Sequence, residues 1–246
     1  MREGMTLSLE DIERLNRQSQ DLVVKRRNEL GPILGDPVLD LELFHMHAPG
    51  KRILDVGCGW GRYVHRFLDL GFEYCGIDLS FEMIRAAREI NHGLPFVQMS
   101  FRNLAFLDGH FDAIWCCCVL SCEPKKNIQN VLRELRRVLR PNGVLFVVLH
   151  DYHTSEEDTT LSGAEMERGH FSLWLPKEFE QELTTAGFVV EHAIRRAEDA
   201  SMTFVVSNYI CDCQNPPPDG YDAEEGVYHV SNECPVHNWN PYSPPQ

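Results

Sequence analysis

The chain has 246 residues, 43% of them hydrophobic and 24% charged, enough for one substantial globular domain with a buried core and a small appendage. A formal net charge of −14 and a pI near 5.2 argue against a nucleic-acid partner, whose phosphates need a basic stripe, and against a basic helix lying on a membrane. No stretch has the length and apolarity of a membrane span, and residues 1–18 hold no apolar run of the signal-peptide kind, so a cytoplasmic protein with reduced thiols is expected.

The first expected element is an amphipathic helix over 8–30, capped by Ser8 with Asp11 closing a capping box. Ile12, Leu15, Leu22, Val23 and Leu30 form its apolar stripe, and Gly31-Pro32 stops it. From Lys51 onward strands and helices alternate. Arg52 to Val56 reads as a buried strand, followed by a glycine-rich turn and a helix from Arg62 to Leu70 that Gly71 closes. Tyr74 to Ile77 is a second strand ending at Asp78, and Ser80 caps a helix running to about Ile90. Pro95 to Met99 and Phe111 to Val119 are further strands. Residues 126–139 form a helix with Ile128, Val131, Leu132, Leu135, Val138 and Leu139 on one side, ended by Arg140-Pro141-Asn142-Gly143. Val144 to Leu149 is a fifth strand, Pro176 to Ala186 a helix stopped by Gly187, and Val189 to Ile194 and Thr203 to Tyr209 the last two strands. The pattern predicts an α/β fold, a doubly wound, mostly parallel seven-stranded sheet covered on both faces. Residues 1–50 would be an N-terminal helical cap, 51–209 the main domain, and 210–246 a Cys-, His- and Pro-rich tail.

The strongest motif is ILDVGCGWGR, Ile53 to Arg62. A strand runs into Gly57, Gly59 and Gly61, whose missing Cβ atoms let a ligand lie against the backbone, and the following helix start offers unpaired N–H groups. Sheets of this kind bind ligands at the carboxyl ends of their strands. The spacing is G-x-G-x-G, and Arg62 stands where a dinucleotide fingerprint wants a small residue. Asp55 lies two residues before the first glycine, and Asp78 ends the second strand where it could accept hydrogen bonds from a ribose diol. These positions suit an adenosine ligand with a cationic amino-acid tail.

Ile53 to Gly61, Gly76-Ile77-Asp78-Leu79-Ser80, His110-Phe111-Asp112-Ala113-Ile114 and Leu132 to Leu149 resemble successive motifs of the class I, Rossmann-like S-adenosylmethionine-dependent methyltransferases. The likeness runs from about Lys51 to Val206 and is nearest to the small-molecule branch that includes the ubiquinone and menaquinone biosynthesis methyltransferases. It implies that S-adenosylmethionine is the cofactor and a small molecule the methyl acceptor. It also implies that Asp55 faces the methionine amino group and that Gly57, Cys58, Gly59 and Gly61 form a backbone floor. Asp78 would hold the ribose, Leu79 and Met83 would pack on adenine, and Ser100 and Phe101 would edge that ring. Many relatives carry an acid where Ser100 stands, and a His-containing segment where this chain has Leu120-Ser121-Cys122.

Methyl transfer from a sulfonium is an in-line displacement, so the protein must mainly align its reactants, exclude water and remove a proton where the acceptor carries one. Glu123, or His150 and His153 after the fifth strand, are the candidates for that base; the alternatives are a solvated helix cap for Glu123 and surface or packing roles for the histidines. Cys116, Cys117 and Cys118 read as small hydrophobes of a buried strand rather than as a thiol site, with Cys117 or Cys118 near enough its end to line the cofactor pocket. Phe171, Trp174 and Phe179 either roof the acceptor site with the 8–30 helix or pack as ordinary core. The acidic balance favours a neutral or cationic acceptor. Two other functions stay open: a non-catalytic cofactor-binding or interaction protein with the tail as its docking part, and a dinucleotide-dependent oxidoreductase, against which the glycine spacing speaks.

Nine cysteines, an odd number, do not form a disulfide framework. In the tail, Cys211-x-Cys213 and Cys234-x-x-His237 are two ligand-like pairs, for which free thiols or a Cys213–Cys234 disulfide are the alternatives to a structural zinc site. A segment rich in proline and acids yet carrying Tyr221, Tyr228, Trp239 and Tyr242 buries little apolar surface unless something closes it. Zinc on Cys211, Cys213, Cys234 and His237 would do so, and is expected to appear at close to one equivalent in elemental analysis of protein purified without added metal. Less than about a tenth of an equivalent, with Cys213 and Cys234 freely reactive toward a thiol reagent, would exclude it.

Overall fold

The computed structural model describes residues 7–25, 38–151, 153–158, 169–196 and 200–209. Nine strands are assigned among them: β1 (Arg52–Val56), β2 (Glu73–Asp78), β3 (Phe96–Gln98), β4 (Phe111–Cys117), β5 (Leu139–His150), β6 (Glu156–Asp158), β7 (Phe171–Leu173), β8 (Val189–Arg196) and β9 (Ser201–Ser207). The α-helices are α1 (Leu9–Lys25), α2 (Val38–His47), α3 (Val64–Asp69), α4 (Phe81–Ile90), α5 (Ile128–Val138) and α6 (Pro176–Thr185).

Seven strands make one sheet in the order β3-β2-β1-β4-β5-β9-β8. The five from β3 to β5 run parallel, while β9 is antiparallel to β5 and β8 to β9. The doubly wound, mostly parallel sheet read from the alternation is therefore present. Its central strands are buried along nearly their whole length, because helices cover both faces. On one face Ile128, Val131, Leu132, Leu135 and Val138 of α5 pack with Phe179 and Leu183 of α6. On the other, Leu41 and Phe44 of α2, Val64 and Phe67 of α3, and Ile84 and Ala87 of α4 meet Ile53, Trp115 and Phe146 of the sheet. The chain builds outward from β1 to β3 and then returns to β4 on the other side of β1. That reversal opens a crevice at the carboxyl ends of β1 and β4, where such sheets bind ligands.

Local signals account for most boundaries. Ser80 caps α4 by accepting the Met83 N–H at 3.1 Å, and Gly187 follows α6 at φ +88°. In α1 the Asp11 N–H donates to Ser8 Oγ at 3.1 Å and the hydroxyl returns a bond to Asp11 at 2.7 Å. The stripe read for that helix needs correction. Ile12 and Val23 are buried, but Leu22 is exposed, and Asn16 and Ser19 are buried in its stead. The inward face of α1 is thus partly polar and makes specific hydrogen bonds. Leu30 and Gly31-Pro32 lie outside the described residues, as do Cys211, Cys213, Cys234 and His237.

Two elements escaped the sequence reading. Helix α2 has apolar residues scattered around its whole circumference, so no 3.6-residue stripe announces it. It is fixed by tertiary partners: Phe44 packs edge-on against Phe67, Trp115 and Phe146, and Asp40 pairs with Arg196 at 2.8 Å. The two-stranded β6–β7 sheet draws one strand from an acidic segment with no apolar alternation. The expected turn at Arg140 to Gly143 falls within β5, where Asn142 adopts φ +57° and its N–H donates to the Asn208 carbonyl at 2.8 Å. Among the described residues no helix is long and apolar enough to cross a membrane.

Phe44 is fully buried in this aromatic group. Phe44→Ala should cost about 3–5 kcal/mol of unfolding free energy, read as a lowered denaturant midpoint at unchanged slope. A loss under 1 kcal/mol would mean that α2 does not hold the core.

Candidate functional site

The turn after β1 is built from three glycines that serve two different ends. A Cβ on Gly57 would stand 2.5 Å from Val119, and one on Gly61 would stand 2.7 Å from Asn91 Nδ2 and 3.0 Å from Phe96. Those two glycines admit close packing of protein on protein. Gly59, at φ +55°, has only Met83 Sδ near its absent Cβ, at 3.8 Å. Its open side faces a cavity of about 240 Å³ that lies over the turn. Gly61 does not line that cavity, so its assignment to the ligand floor is replaced by a packing role, whereas Gly57, Cys58 and Gly59 do line it.

Several backbone N–H groups of the turn itself are taken. Those of Gly57 and Cys58 both donate to the Ile77 carbonyl, at 2.8 and 3.0 Å, and that of Gly61 to the Cys58 carbonyl at 3.0 Å. The Gly59 N–H donates to Asp78 Oδ2 at 3.0 Å, while the Ser80 N–H donates to Oδ1 at 2.8 Å. Asp78 therefore shapes the turn before any ligand arrives. Asp55 accepts a 2.7 Å hydrogen bond from the Tyr74 hydroxyl. Burial pushes both acids up, Asp55 to about 7 and Asp78 to about 6, against the lowering effect of these hydrogen bonds. Two adjacent carboxyl groups held away from water form a site prepared for hydroxyl donors and a cation.

The cavity wall contains most of the residues singled out in the sequence: Asp55, Asp78, Leu79, Met83, Phe101, Cys117 and Cys118. It also contains residues that motif spacing did not mark. Helix α1 contributes Asn16, Gln20 and Val23 to the wall. Asn16 is fixed there, donating to the Cys122 carbonyl at 2.9 Å and accepting the His170 N–H at 2.7 Å. Arg62 lines the cavity and lies 5.4 Å from the Trp60 ring and 5.9 Å from the Tyr63 ring, with no carboxylate partner among the described residues. The one available signal was its departure from the dinucleotide pattern.

The three candidates for a base separate. His150 borders the cavity. His153 does not: its exposed ring pairs with Asp151 and Arg195 outside it. Glu123 does not line this cavity, bordering instead a separate small pocket with Ser100, and it is not a solvated cap. It is buried, binds Arg102 at 2.9 Å and accepts from Asn127 at 2.5 Å, and burial still pushes its carboxyl up. Ser100 is also displaced from its expected place at the adenine edge, donating instead to Glu13 of α1 at 3.3 Å and lying outside the main cavity. Of the aromatic trio, Phe171 reaches the cavity while Trp174 and Phe179 pack on each other in the core, 5.2 Å between centroids. Among the cysteines, Cys116 is core, and Cys122 joins Cys117 and Cys118 on the cavity wall. Among the described residues no group of three or more His, Cys, Asp or Glu side chains is placed to hold a metal ion.

Comparison with known proteins agrees with this geometry. Residues 54–147 match the family described as methyltransferase domain. The Bacillus subtilis protein YqeM, which bears a methyltransferase name, is 38% identical over 109 residues, 42% of this chain and 43% of that protein. The ubiquinone biosynthesis O-methyltransferase of Xanthomonas oryzae pv. oryzae is 34% identical over 116 residues, 44% of this chain and 47% of that one. The chain thus spans less than half the length of these relatives. A 1,6-didemethyltoxoflavin-N1-methyltransferase from Burkholderia thailandensis, crystallised with 1,6-didemethyltoxoflavin and S-adenosylhomocysteine, shares the fold with a TM-score of 0.70. It is 15% identical, and the match covers 85% of this chain and 93% of that one. The resemblance to class I, Rossmann-like methyltransferases read from the motifs is borne out by family and by fold.

The raised acids have a consequence for the free protein. The folded state binds the Asp55 proton more tightly than the unfolded chain does, so the resulting stability is whole below the ordinary value of 3.8 and is lost as pH rises through about 7. Asp55→Asn, which cannot ionise, should be more stable than the parent by up to about 4 kcal/mol near pH 8 and by nothing near pH 4. Denaturant midpoints of both proteins across that range measure it, and a gap that does not widen with pH would refute the assignment.

Proposed function

From a chain whose residues 54–147 match a methyltransferase domain on a class I methyltransferase fold, we propose that it is an S-adenosylmethionine-dependent methyltransferase acting on a small-molecule acceptor by in-line transfer. The observation that carries this reading is the charge pattern of the cavity. Asp55 is the penultimate residue of β1 and Asp78 the last of the adjacent β2, and Arg62 follows the glycine turn on the same cavity wall without a carboxylate partner among the described residues. An amino-acid zwitterion joined to a ribose matches that pattern group for group. Asp55 takes the ammonium, Arg62 the carboxylate and Asp78 the ribose hydroxyls, while Leu79, Met83, Met99 and Phe101 offer apolar surface to adenine. The open space at Gly59 admits the ligand against the backbone.

When bound, this cofactor supplies a methyl group already activated on a sulfonium. The chain's own contribution is placement and exclusion of water. Asn16, Gln20 and Val23 of α1 and Phe171 of β7 complete the cavity wall, where the acceptor would lie against them. His150, at the end of β5, is the proton acceptor for an acceptor that carries one. The comparisons lend no support to an oxidoreductase or to a non-catalytic docking protein.

Calorimetry against S-adenosylhomocysteine and NAD separates the readings. The chain should bind the first and not the second. Gly59→Val, which puts a branched side chain at positive φ into the ligand's space, should abolish binding while circular dichroism shows the fold intact. A folded variant that binds as tightly as the parent would overturn the site.

A further inference from the structure

Tyr74 lies on β2, the strand beside β1, and its hydroxyl is the partner of Asp55 Oδ2 at 2.7 Å. The ring is buried and gripped by Phe67 and Phe96, with centroids at 5.8 and 5.5 Å. Gly76 leaves the room that the hydroxyl occupies, since a Cβ there would stand 2.6 Å from the phenol oxygen. Among the described residues no second donor reaches Asp55. One carboxylate oxygen is tied to the sheet, and the other remains for whatever enters the cavity that Asp55 lines.

We propose that Tyr74 is a positioning residue for the cofactor's amino group: its hydroxyl fixes the Asp55 carboxylate and favours its charged form, so that ligand binding is coupled to release of the Asp55 proton. The proposal rests on the cofactor reading above and adds to it the residue that sets the pH range of loading. The proton balance is simple. A neutral Asp55 carboxyl meets an ammonium, gives its proton to solvent, and the carboxylate–ammonium pair remains. Burial and the neighbouring Asp55 push the Tyr74 phenol well above its usual range, so it stays a donor throughout.

Other titratable groups interact electrostatically with Asp55. They are Cys75 and Asp78 from β2, Cys58 from the turn and Cys116 from β4. Burial pushes the thiols up, Cys75 to about 11, which keeps them neutral at the pH values that matter. Asp78 is charged over most of that range, being raised to about 6. Arg62, Tyr63, Cys117, Cys118, Cys122 and His150 share the cavity wall.

The test is the affinity of the full chain for S-adenosylhomocysteine between pH 5.5 and 9.5, by calorimetry in buffers of differing ionisation enthalpy. The parent should show an acid limb near pH 7, falling about tenfold per pH unit below it, with protons released on binding. The alkaline limb belongs to the ligand's own amino group. In Tyr74→Phe the acid limb should move up by about one pH unit and affinity at pH 6.5 should fall about tenfold, while the alkaline limb stays in place. In Asp55→Asn the limb near pH 7 and the proton release at pH 6.5–7.5 should be lost, leaving only the lower limb that Asp78 sets near pH 6, which separates Asp55 from the other groups on the wall. A folded Tyr74→Phe protein with both limbs unmoved, or a parent that releases no proton at pH 6.5, overturns the role of Tyr74 and leaves the cofactor reading standing. A parent that binds no S-adenosylhomocysteine at any pH overturns both.

Discussion

Two carboxyl groups kept from water at the ends of neighbouring parallel strands set the terms for the rest of the molecule. Asp55 and Asp78 sit where β1 and β2 deliver them, and burial raises both. Ionising a buried acid costs several kcal/mol unless donors or a cation compensate. The free protein supplies part of that compensation from its own backbone and from Tyr74. The Gly59 and Ser80 N–H groups satisfy Asp78, and this also ties the glycine turn to the end of β2. The remainder is left to the ligand, so binding and stability share the same residues. The sheet must be rigid around this point, which is consistent with Trp115 and Phe146 stacking at 4.8 Å beneath the site.

The roof is attached differently from the floor. The small apolar contact of α1 joins Val23 and Val24 to Met83 and Ala86 of α4. Polar contacts do much of the fixing. Arg102 donates to the Leu9 carbonyl at 2.7 Å, to Glu13 at 3.1 Å and to buried Glu123 at 2.9 Å. Asn16 ties the middle of the helix to Cys122 and His170. Polar attachments specify register better than an apolar stripe does, because each fails if the helix shifts by one residue. Glu123 is therefore understandable as a buried anchor for the cation that holds α1, and its raised pKa follows from its burial rather than from a part in proton transfer.

Much of the fold was legible because local rules and tertiary structure agree along the βα alternation. Strands buried on both faces wrote continuous apolar runs, Ser80 and Gly187 marked helix ends, and the apolar face of α5 repeated at the helical period. The reading failed where that agreement lapses. Helix α2 is apolar all round, and its buried face is selected by the partners it meets, including an ion pair from Asp40 to Arg196 far along the chain. Leu22 fits an apolar stripe in sequence but is exposed, since α1 turns Asn16 and Ser19 inward. Among the glycines, G-x-G-x-G spacing could not distinguish Gly61, which makes room for Asn91 and Phe96, from Gly59, whose absent Cβ faces open space on the cavity wall.

The sequence by itself determined the sheet, the glycine turn and the two acids near the carboxyl ends of β1 and β2, because these depend on short-range periodicity and on residue types whose chemistry is fixed. Tertiary structure alone decided which of the remaining polar residues face the cavity. His150 and His153 are three residues apart, yet only His150 borders it, and Ser100 and Glu123 are drawn away by partners on α1 and at Arg102. Arg62 is one of several arginines in the sequence, and it is the fold that sets it in the cavity wall against two aromatic rings without a carboxylate partner among the described residues. The direction of a side chain depends on contacts between segments far apart in the chain, and no local pattern encodes those contacts.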